Sequence, residues 1–261
     1  MATSSAPMAH TEGESNTSEA RAAWRAINDD APTRALIERD AEVFLHQSLS
    51  SPVLSAIAKA EGIWIEDTTG RRYMDFHGNN VHHIGYGHPR LIAAIKAQLD
   101  ELSFAPRRFT CEPAVELAEK LGALAPGDLG KVLFTTGGSD AVEVALKLAR
   151  AATGRFKTLS FWDAFHGAGF GAASVGGEHT FRSHIAGPLL PGAEHVAPFA
   201  CYRCPYNHAG PDVCGLACAE MLAYVLDREG DVAAVIAEPM RAVPYVPPPG
   251  YWARVREACD A

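Results

Sequence analysis

The chain has 261 residues, 48% of them hydrophobic, and a formal net charge of −8. That length buries one large core or two smaller ones, and the interspersed acids and bases leave no basic face for nucleic acid and no polybasic membrane patch. No apolar run is long enough to span a bilayer and the start, "MATSSAPMAHTEGESNTSEA", is polar, so the expected address is the cytoplasm, with neither nucleic acid nor membrane as partner.

Residues 1–34 read as a disordered tail, because the opening Ser, Thr, Glu and Ala offer little to bury. Residues 35–102 read as a small α+β segment. Within it "GIWIED", the turn "TTGR" and "RYMDF" form a hairpin pattern, a polar loop "HGNNVHHIGYGHP" follows, and an amphipathic helix runs from Arg90 to about Leu102. Residues 103–261 alternate helix and strand: a helix at "PAVELAEKLGAL", a strand at "KVLF", and a helix from Ser139 to about Ala152. A strand at "KTLSF" comes next, then a long loop containing cysteines, a helix from about Leu216 to Glu229, and a strand at "VAAVIA". Uniformly apolar strands separated by helices predict an α/β fold with a mostly parallel sheet covered on both faces, and ligands then sit in the turns at the carboxyl ends of the strands.

Three of those turns carry chemistry. In "FTTGGSDAVEVALKLAR" the apolar Ala141, Val144, Ala145 and Leu148 recur at helical spacing, which predicts that this face packs on the sheet. Ser139 stands where an N-cap belongs, and Gly137 and Gly138 let a ligand approach the backbone, whose free N–H groups favour an anion. A capped helix after a tight turn accounts for the same residues, and the turn has neither the Gly-Lys-Ser/Thr of a P-loop nor the Gly-x-Gly-x-x-Gly of a dinucleotide site. After "KTLSF" come Phe165, His166 and Gly167, an aromatic face suited to stacking on a flat ring beside an imidazole. After "VAAVIA" come Glu238 and Pro239, a carboxylate at a third strand end or a solvated acid before a helix-breaking proline.

Taken together and in this order, "FTTGGSDAVEVALKLAR", "AFHG" and "AVIAEP" resemble the class III family of pyridoxal-phosphate aminotransferases, from about Phe44 onward. The resemblance implies fold type I, a homodimer with its sites at the subunit interface, pyridoxal 5'-phosphate as cofactor, and an enzyme acting on the amino group of a small amino compound. Carried over by position, Gly138 and Ser139 match the family's phosphate turn, with Gly137 where Ser is usual and Asp140 where Glu is usual. Phe165 matches the aromatic that stacks on the pyridine ring, His166 continues that motif, and Glu238 matches the Glu of Glu-Pro. The Gln-Gly that often follows is here Arg241-Ala242, which puts substrate choice on an altered wall.

Further stretches, "FLHQSLSSPVL", "YMDFHGNNVHHIGYGHP", "LSFAPRRFT" and "GPLLPGAEHV", resemble the branch of 1-hydroxy-2-aminoethylphosphonate ammonia-lyases. A phosphonate needs cations, so Arg107 and Arg108 are candidate substrate residues, with Asn79, Asn80, His82 and His83 along the substrate side. The alternatives are an omega-amino-acid transaminase sharing the same cofactor residues and, from another class, a non-catalytic module stabilised by zinc. The latter would rest on Cys201, Cys204, Cys214 and Cys218, spaced C-x2-C-x9-C-x3-C, which suit zinc or, less well, an iron–sulfur cluster, and equally suit buried free thiols. No metal is assigned to the site. The family's Schiff-base lysine and ring-pairing Asp normally follow the Glu-Pro strand, whereas Lys59, Lys96, Lys120, Lys131, Lys147 and Lys157 all precede it. The resemblance therefore implies that both lie beyond Ala261, and that these residues are the N-terminal portion of a longer enzyme, without a catalytic residue of their own and inactive in isolation.

Overall fold

Tertiary structure comes from a computed structural model that describes residues 18–28, 30–44, 55–78, 81–182, 187–241 and 245–261. The chain divides into two compact units, one ending at Val132 and the other beginning at Leu133.

The first unit opens with helices α1 (Glu19–Asn28) and α2 (Ala31–Val43), so residues 19–28 and 31–34 are helical where composition alone suggests a tail. Asp30 begins α2, its Oδ1 accepting the Thr33 N–H at 2.9 Å, with Pro32 in the first turn. An antiparallel meander follows in the order β1 (Ile57–Glu61), β2 (Trp64–Asp67), β3 (Arg72–Met74), and the expected hairpin is its β2–β3 half. The hairpin is organised by Asp67, whose side chain is 1% exposed. Its carboxylate accepts from the Thr69 hydroxyl (2.7 Å), the Thr69 and Arg71 N–H groups (2.9 and 3.0 Å), Arg71 Nε (3.0 Å) and the Tyr73 hydroxyl (3.1 Å). Helices α3 (Pro89–Glu101) and α4 (Glu112–Leu124) end the unit, each started by a proline in its first turn and neither with a buried residue.

"KVLF" is not a strand. Residues 131–134 are exposed and, among the described residues, nothing pairs with them; a strand needs a neighbouring ladder to satisfy its backbone, and local apolar content cannot supply one.

The second unit runs through α5 (Gly138–Thr153), β4 (Lys157–Phe161), α6 (Phe170–Val175), α7 (His179–Arg182), β5 (Ala193–Val196), α8 (Ala217–Glu229), β6 (Val232–Val235) and α9 (Tyr251–Asp260). Its sheet is parallel throughout, in the order β5-β4-β6. Central β4 reads "KTLSF" and is buried from Thr158 onward, as a strand covered on both faces must be. The core joins Leu159 and Phe161 to Val196, Phe199, Ala219 and Leu222 of the sheet and α8, and to Tyr251 and Val255 of α9. Phe161, Phe199, Tyr251 and Trp252 meet in edge-on and tilted pairs with centroids 4.9–6.4 Å apart. At the start of β4, Lys157 Nζ pairs with Glu229 at 2.7 Å and Asp231 at 2.8 Å, clamping it to the α8–β6 turn. Among the described residues no helix is long and apolar enough to cross a membrane.

The expected α5 face is corrected. The buried residue is Leu146, with Ser139, Val142, Glu143 and Ala149 half-buried around it, while Ala141, Ala145 and Leu148 are exposed and only Val144 of the expected set is partly covered. Helix α5 packs on α6 as well as β6, which turns its inner stripe toward Ser139 and Glu143.

Asp67 yields a prediction. Burial alone would raise its pKa; the hydrogen bonds from Thr69, Arg71 and Tyr73 outweigh this and hold the carboxyl well below the usual range. A carboxyl depressed in the folded state stabilises fully above its ordinary pKa, and that stabilisation fades as pH falls below it. Asp67→Asn is therefore expected to lower the urea midpoint near neutral pH, by an amount that shrinks on acidification below pH 3.8. A gap that stays constant on acidification contradicts this.

Candidate active site at the strand ends

Three chain segments meet at the carboxyl end of the parallel sheet. Helix α5 begins there with Gly137 as N-cap in extended conformation and no side-chain cap. Ser139 is thus the second helical residue and not the N-cap. Among the described residues no acceptor takes the N–H groups of Gly138, Ser139 or Asp140; the first one used is that of Ala141, bonded to Gly137 O at 3.0 Å. A Cβ added at Gly137 or Gly138 would touch nothing within 4 Å, so the chain at both glycines borders open space. Thr136 donates its hydroxyl to Asp140, and Thr135 donates to Gly137 O at 3.0 Å, which brace the turn from outside.

The second segment leaves β4 as Trp162, Asp163, Ala164, Phe165 and His166. Phe165 donates its N–H to Glu238 Oε1 at 3.0 Å, so the carboxylate that follows β6 fixes the backbone of the aromatic that follows β4. The Phe165 ring is 46% exposed and leans on Phe181 with centroids 4.7 Å apart. The His166 ring lies inward, Nε2 at 3.4 Å from Ser160 Oγ; burial lowers its pKa, opposed by the charge of Glu238. Ser139 Oγ accepts the Ala168 N–H at 3.0 Å, joining this segment to α5.

The structure therefore brings Gly138, Ser139, Phe165, His166 and Glu238 into one hydrogen-bonded neighbourhood. Arg241, on the altered wall, donates Nη2 to Glu178 Oε2 at 3.0 Å and stands over the Tyr245 ring, whose hydroxyl donates to Asp163 Oδ2 at 3.0 Å. In the first unit His82 packs on the Tyr86 ring, with centroids 4.1 Å apart, and His83, Arg107 and Arg108 are exposed. Asn79 and Asn80 lie outside the described residues. Ala261 is the exposed C-cap of α9, its N–H bonded to Glu257 O at 3.2 Å, and it belongs to none of the three segments at the strand ends.

Sequence reasoning missed Glu143, which accepts the Ala172 N–H at 2.9 Å, and Arg182, which donates to the carbonyl oxygens of Ser174 in α6 and of Gly176 just after it. The signal for Glu143 is an acid on the inner stripe of α5 opposite "GAGFG"; nothing local marks Arg182.

Cys201, Cys204, Cys214 and Cys218 line one cavity of about 20 Å³ with His208. All are free, and burial pushes the Cys218 thiol up to about 11. Among the described residues no three His, Cys, Asp or Glu side chains are grouped so as to hold a metal ion.

Comparison with known proteins agrees with the geometry. The family model "Aminotransferase class-III" matches residues 46–261. The chain is 47% identical over 265 residues to the (R)-1-hydroxy-2-aminoethylphosphonate ammonia-lyase of Vibrio splendidus, covering 96% of this chain and 55% of that protein. It is 36% identical to the adenosylmethionine-8-amino-7-oxononanoate aminotransferase of Geobacter sulfurreducens, over 81% of this chain and 49% of that one. Among solved structures, an amine transaminase from an uncultivated Pseudomonas species, in its PLP-bound form, superposes with a TM-score of 0.75 at 34% identity, covering 84% of this chain and 53% of its own. A taurine:2-oxoglutarate aminotransferase from Bifidobacterium kashiwanohense, in complex with PLP and glutamate, gives 0.77 at 30%, covering 87% and 53%. The chain thus spans about half the length of the relatives it matches.

Because burial disfavours the imidazolium, His166 is expected to be neutral at pH 7 and to take up its proton only below the ordinary 6.5. A histidine ring NMR titration checks this; a midpoint at or above 6.5 contradicts it.

Proposed function

Since the chain belongs to the class III aminotransferase family, we propose that it holds pyridoxal 5'-phosphate at the strand ends and serves an enzyme acting on a small amino compound. The observation that carries this reading is the start of α5, where among the described residues three backbone N–H groups have no acceptor, beside the Ser139 hydroxyl and two glycines bordered by open space. A phosphate fits there: it is an acceptor with negative charge, and a helix N-terminus supplies donors and a favourable dipole. Gly138 and Ser139 would hold the phosphate, and Phe165 would offer its ring to the cofactor. His166 would stand beside it as a neutral imidazole, and Glu238 would keep Phe165 in place through the backbone bond. When bound, the cofactor supplies an electron sink for bonds broken at the amino-bearing carbon of the substrate. The protein's residues here bind, orient and exclude water.

For the substrate we propose a small aminophosphonate from which ammonia is eliminated. The support is the 47% identity to the ammonia-lyase of Vibrio splendidus and the exposed Arg107 and Arg108, whose guanidinium forks match a phosphonate. The resemblance adds His82 and Asn80 as candidate substrate residues. The second reading, an omega-amino-acid transaminase, is favoured by solved structures such as the omega-transaminase from Thermomicrobium roseum, with a TM-score of 0.78 at 31% identity. A homodimer is part of the proposal, supported by the apolar side chains that α3 and α4 leave uncovered, among them Leu91, Ile95, Leu99 and Leu121. A cytoplasmic address is also part of the proposal, and six unbridged cysteines are compatible with it.

Incubating the whole protein with 1-hydroxy-2-aminoethylphosphonate should release free ammonia without any keto acid. Amino transfer that requires a keto acid, with no ammonia released, would instead establish the transaminase reading.

A further inference from the structure

Helix α5 and the segment after Phe165 are joined by two hydrogen bonds in register. Ser139 and Glu143 are four residues apart on the inner stripe of α5, and the N–H groups they accept, those of Ala168 and Ala172, are also four apart, at 3.0 and 2.9 Å. Helix α6 has Gly169 as N-cap and no side-chain cap of its own, so the Glu143 carboxylate caps it from across the interface at its third helical residue.

The glycines of "GAGFG" make that approach close enough. At Gly169 a Cβ would stand 2.6 Å from Glu143 Oε1, and at Gly171 it would stand 2.9 Å from Glu143 Cδ and closer still to Oε2. At Gly167, where φ is +125°, it would fall 2.9 Å from the Ser139 Cα and overlap its hydroxyl. The Gly-x-Gly-x-Gly run is thus the footprint of α5.

We propose that Glu143 is a positioning residue for the cofactor: by pinning this glycine segment to α5 it keeps the Ala168 N–H on Ser139 Oγ and leaves the Ser139 hydroxyl proton for the cofactor phosphate. The inference rests on the functional reading above. A serine hydroxyl has one proton to donate, and a phosphate oxygen can only accept. Ser139 Oγ accepts the Ala168 N–H, and among the described residues no protein acceptor takes its proton, which is therefore available to a phosphate. Glu143 need not touch the cofactor.

The experiment measures pyridoxal phosphate dissociation from the whole protein by absorbance, together with thermal unfolding of the cofactor-free form. The variants are Glu143→Ala, Glu143→Gln and Gly171→Ala. Glu143→Ala should loosen the cofactor about tenfold, the worth of one hydrogen bond to a charged group. Glu143→Gln keeps an oxygen for the Ala172 N–H and should stay within about threefold of wild type. Gly171→Ala leaves Glu143 in the sequence but displaces its carboxylate, and should match Glu143→Ala. A merely structural role lowers the melting temperature of all three variants while the folded protein binds cofactor as tightly as wild type, and that result overturns the inference. So does Glu143→Gln binding as loosely as Glu143→Ala. If Glu143→Ala does not fold, Gly171→Ala against Glu143→Gln decides in the same way. A wild-type protein that takes up no pyridoxal phosphate overturns the functional reading and this inference together, whereas wild-type uptake matched by Glu143→Ala and Gly171→Ala overturns the inference alone.

Discussion

Backbone-to-side-chain contact between helix α5 and the segment after β4 is the constraint on which the rest of the candidate site depends. Ser139 and Glu143 reach the N–H groups of Ala168 and Ala172 only because residues 167, 169 and 171 carry no side chain. The same proximity sets the start of α5, with its unpartnered N–H groups, beside Phe165 and His166. Glycines are entropically costly in the unfolded chain, and three of them in five residues are retained where a closer approach yields two hydrogen bonds to otherwise orphaned donors. Glu238 adds the third tie by accepting the Phe165 N–H from the end of the neighbouring strand.

The parallel sheet explains why these segments can meet at all. Strands β5, β4 and β6 point the same way, so the residues following β4 and β6 emerge at one edge, and α5 packs across β6 with its N-terminus among the chemistry-bearing turns. Burial of β4 from Thr158 to Phe161 and the aromatic contacts of Phe199, Tyr251 and Trp252 hold that edge from below. Lys157 anchors the opposite end of β4 to Glu229 and Asp231.

What the sequence revealed follows from the range of the forces involved. The helices α3, α4, α5 and α8, the hairpin β2–β3 and the strands β4 and β6 were legible because periodicity, prolines and turn residues act locally. Strand β5 was not, since "AEHV" has polar Glu194 and His195 at its centre and becomes a strand only through its register with Thr158 to Phe161. Helix α6 hid in a glycine-rich stretch of poor propensity, and its cap comes from Glu143, 29 residues earlier than Ala172. "KVLF" erred the other way: its apolar content satisfied a strand pattern, but pattern cannot supply a pairing partner. Ser139, Phe165, His166 and Glu238 were singled out through the resemblance of their motifs to one family, while Glu143 becomes apparent only with α5 and α6 side by side.

Arg241 shows how a residue that departs from the family pattern is absorbed by the fold. Its guanidinium is largely buried, paired with Glu178 at 3.0 Å, and set over Tyr245, whose hydroxyl is in turn held by Asp163. Turning Arg241 toward a substrate would break that pair and leave a poorly solvated charge, at a cost of about 3 kcal/mol or more when one partner of a buried pair is lost. The wall beside Glu238 is therefore fixed as a unit, with the Arg241 charge offset by Glu178. On the proposed reading Arg241 is thus committed to the fold, whereas Arg107 and Arg108 are exposed and have no ion-pair partner among the described residues.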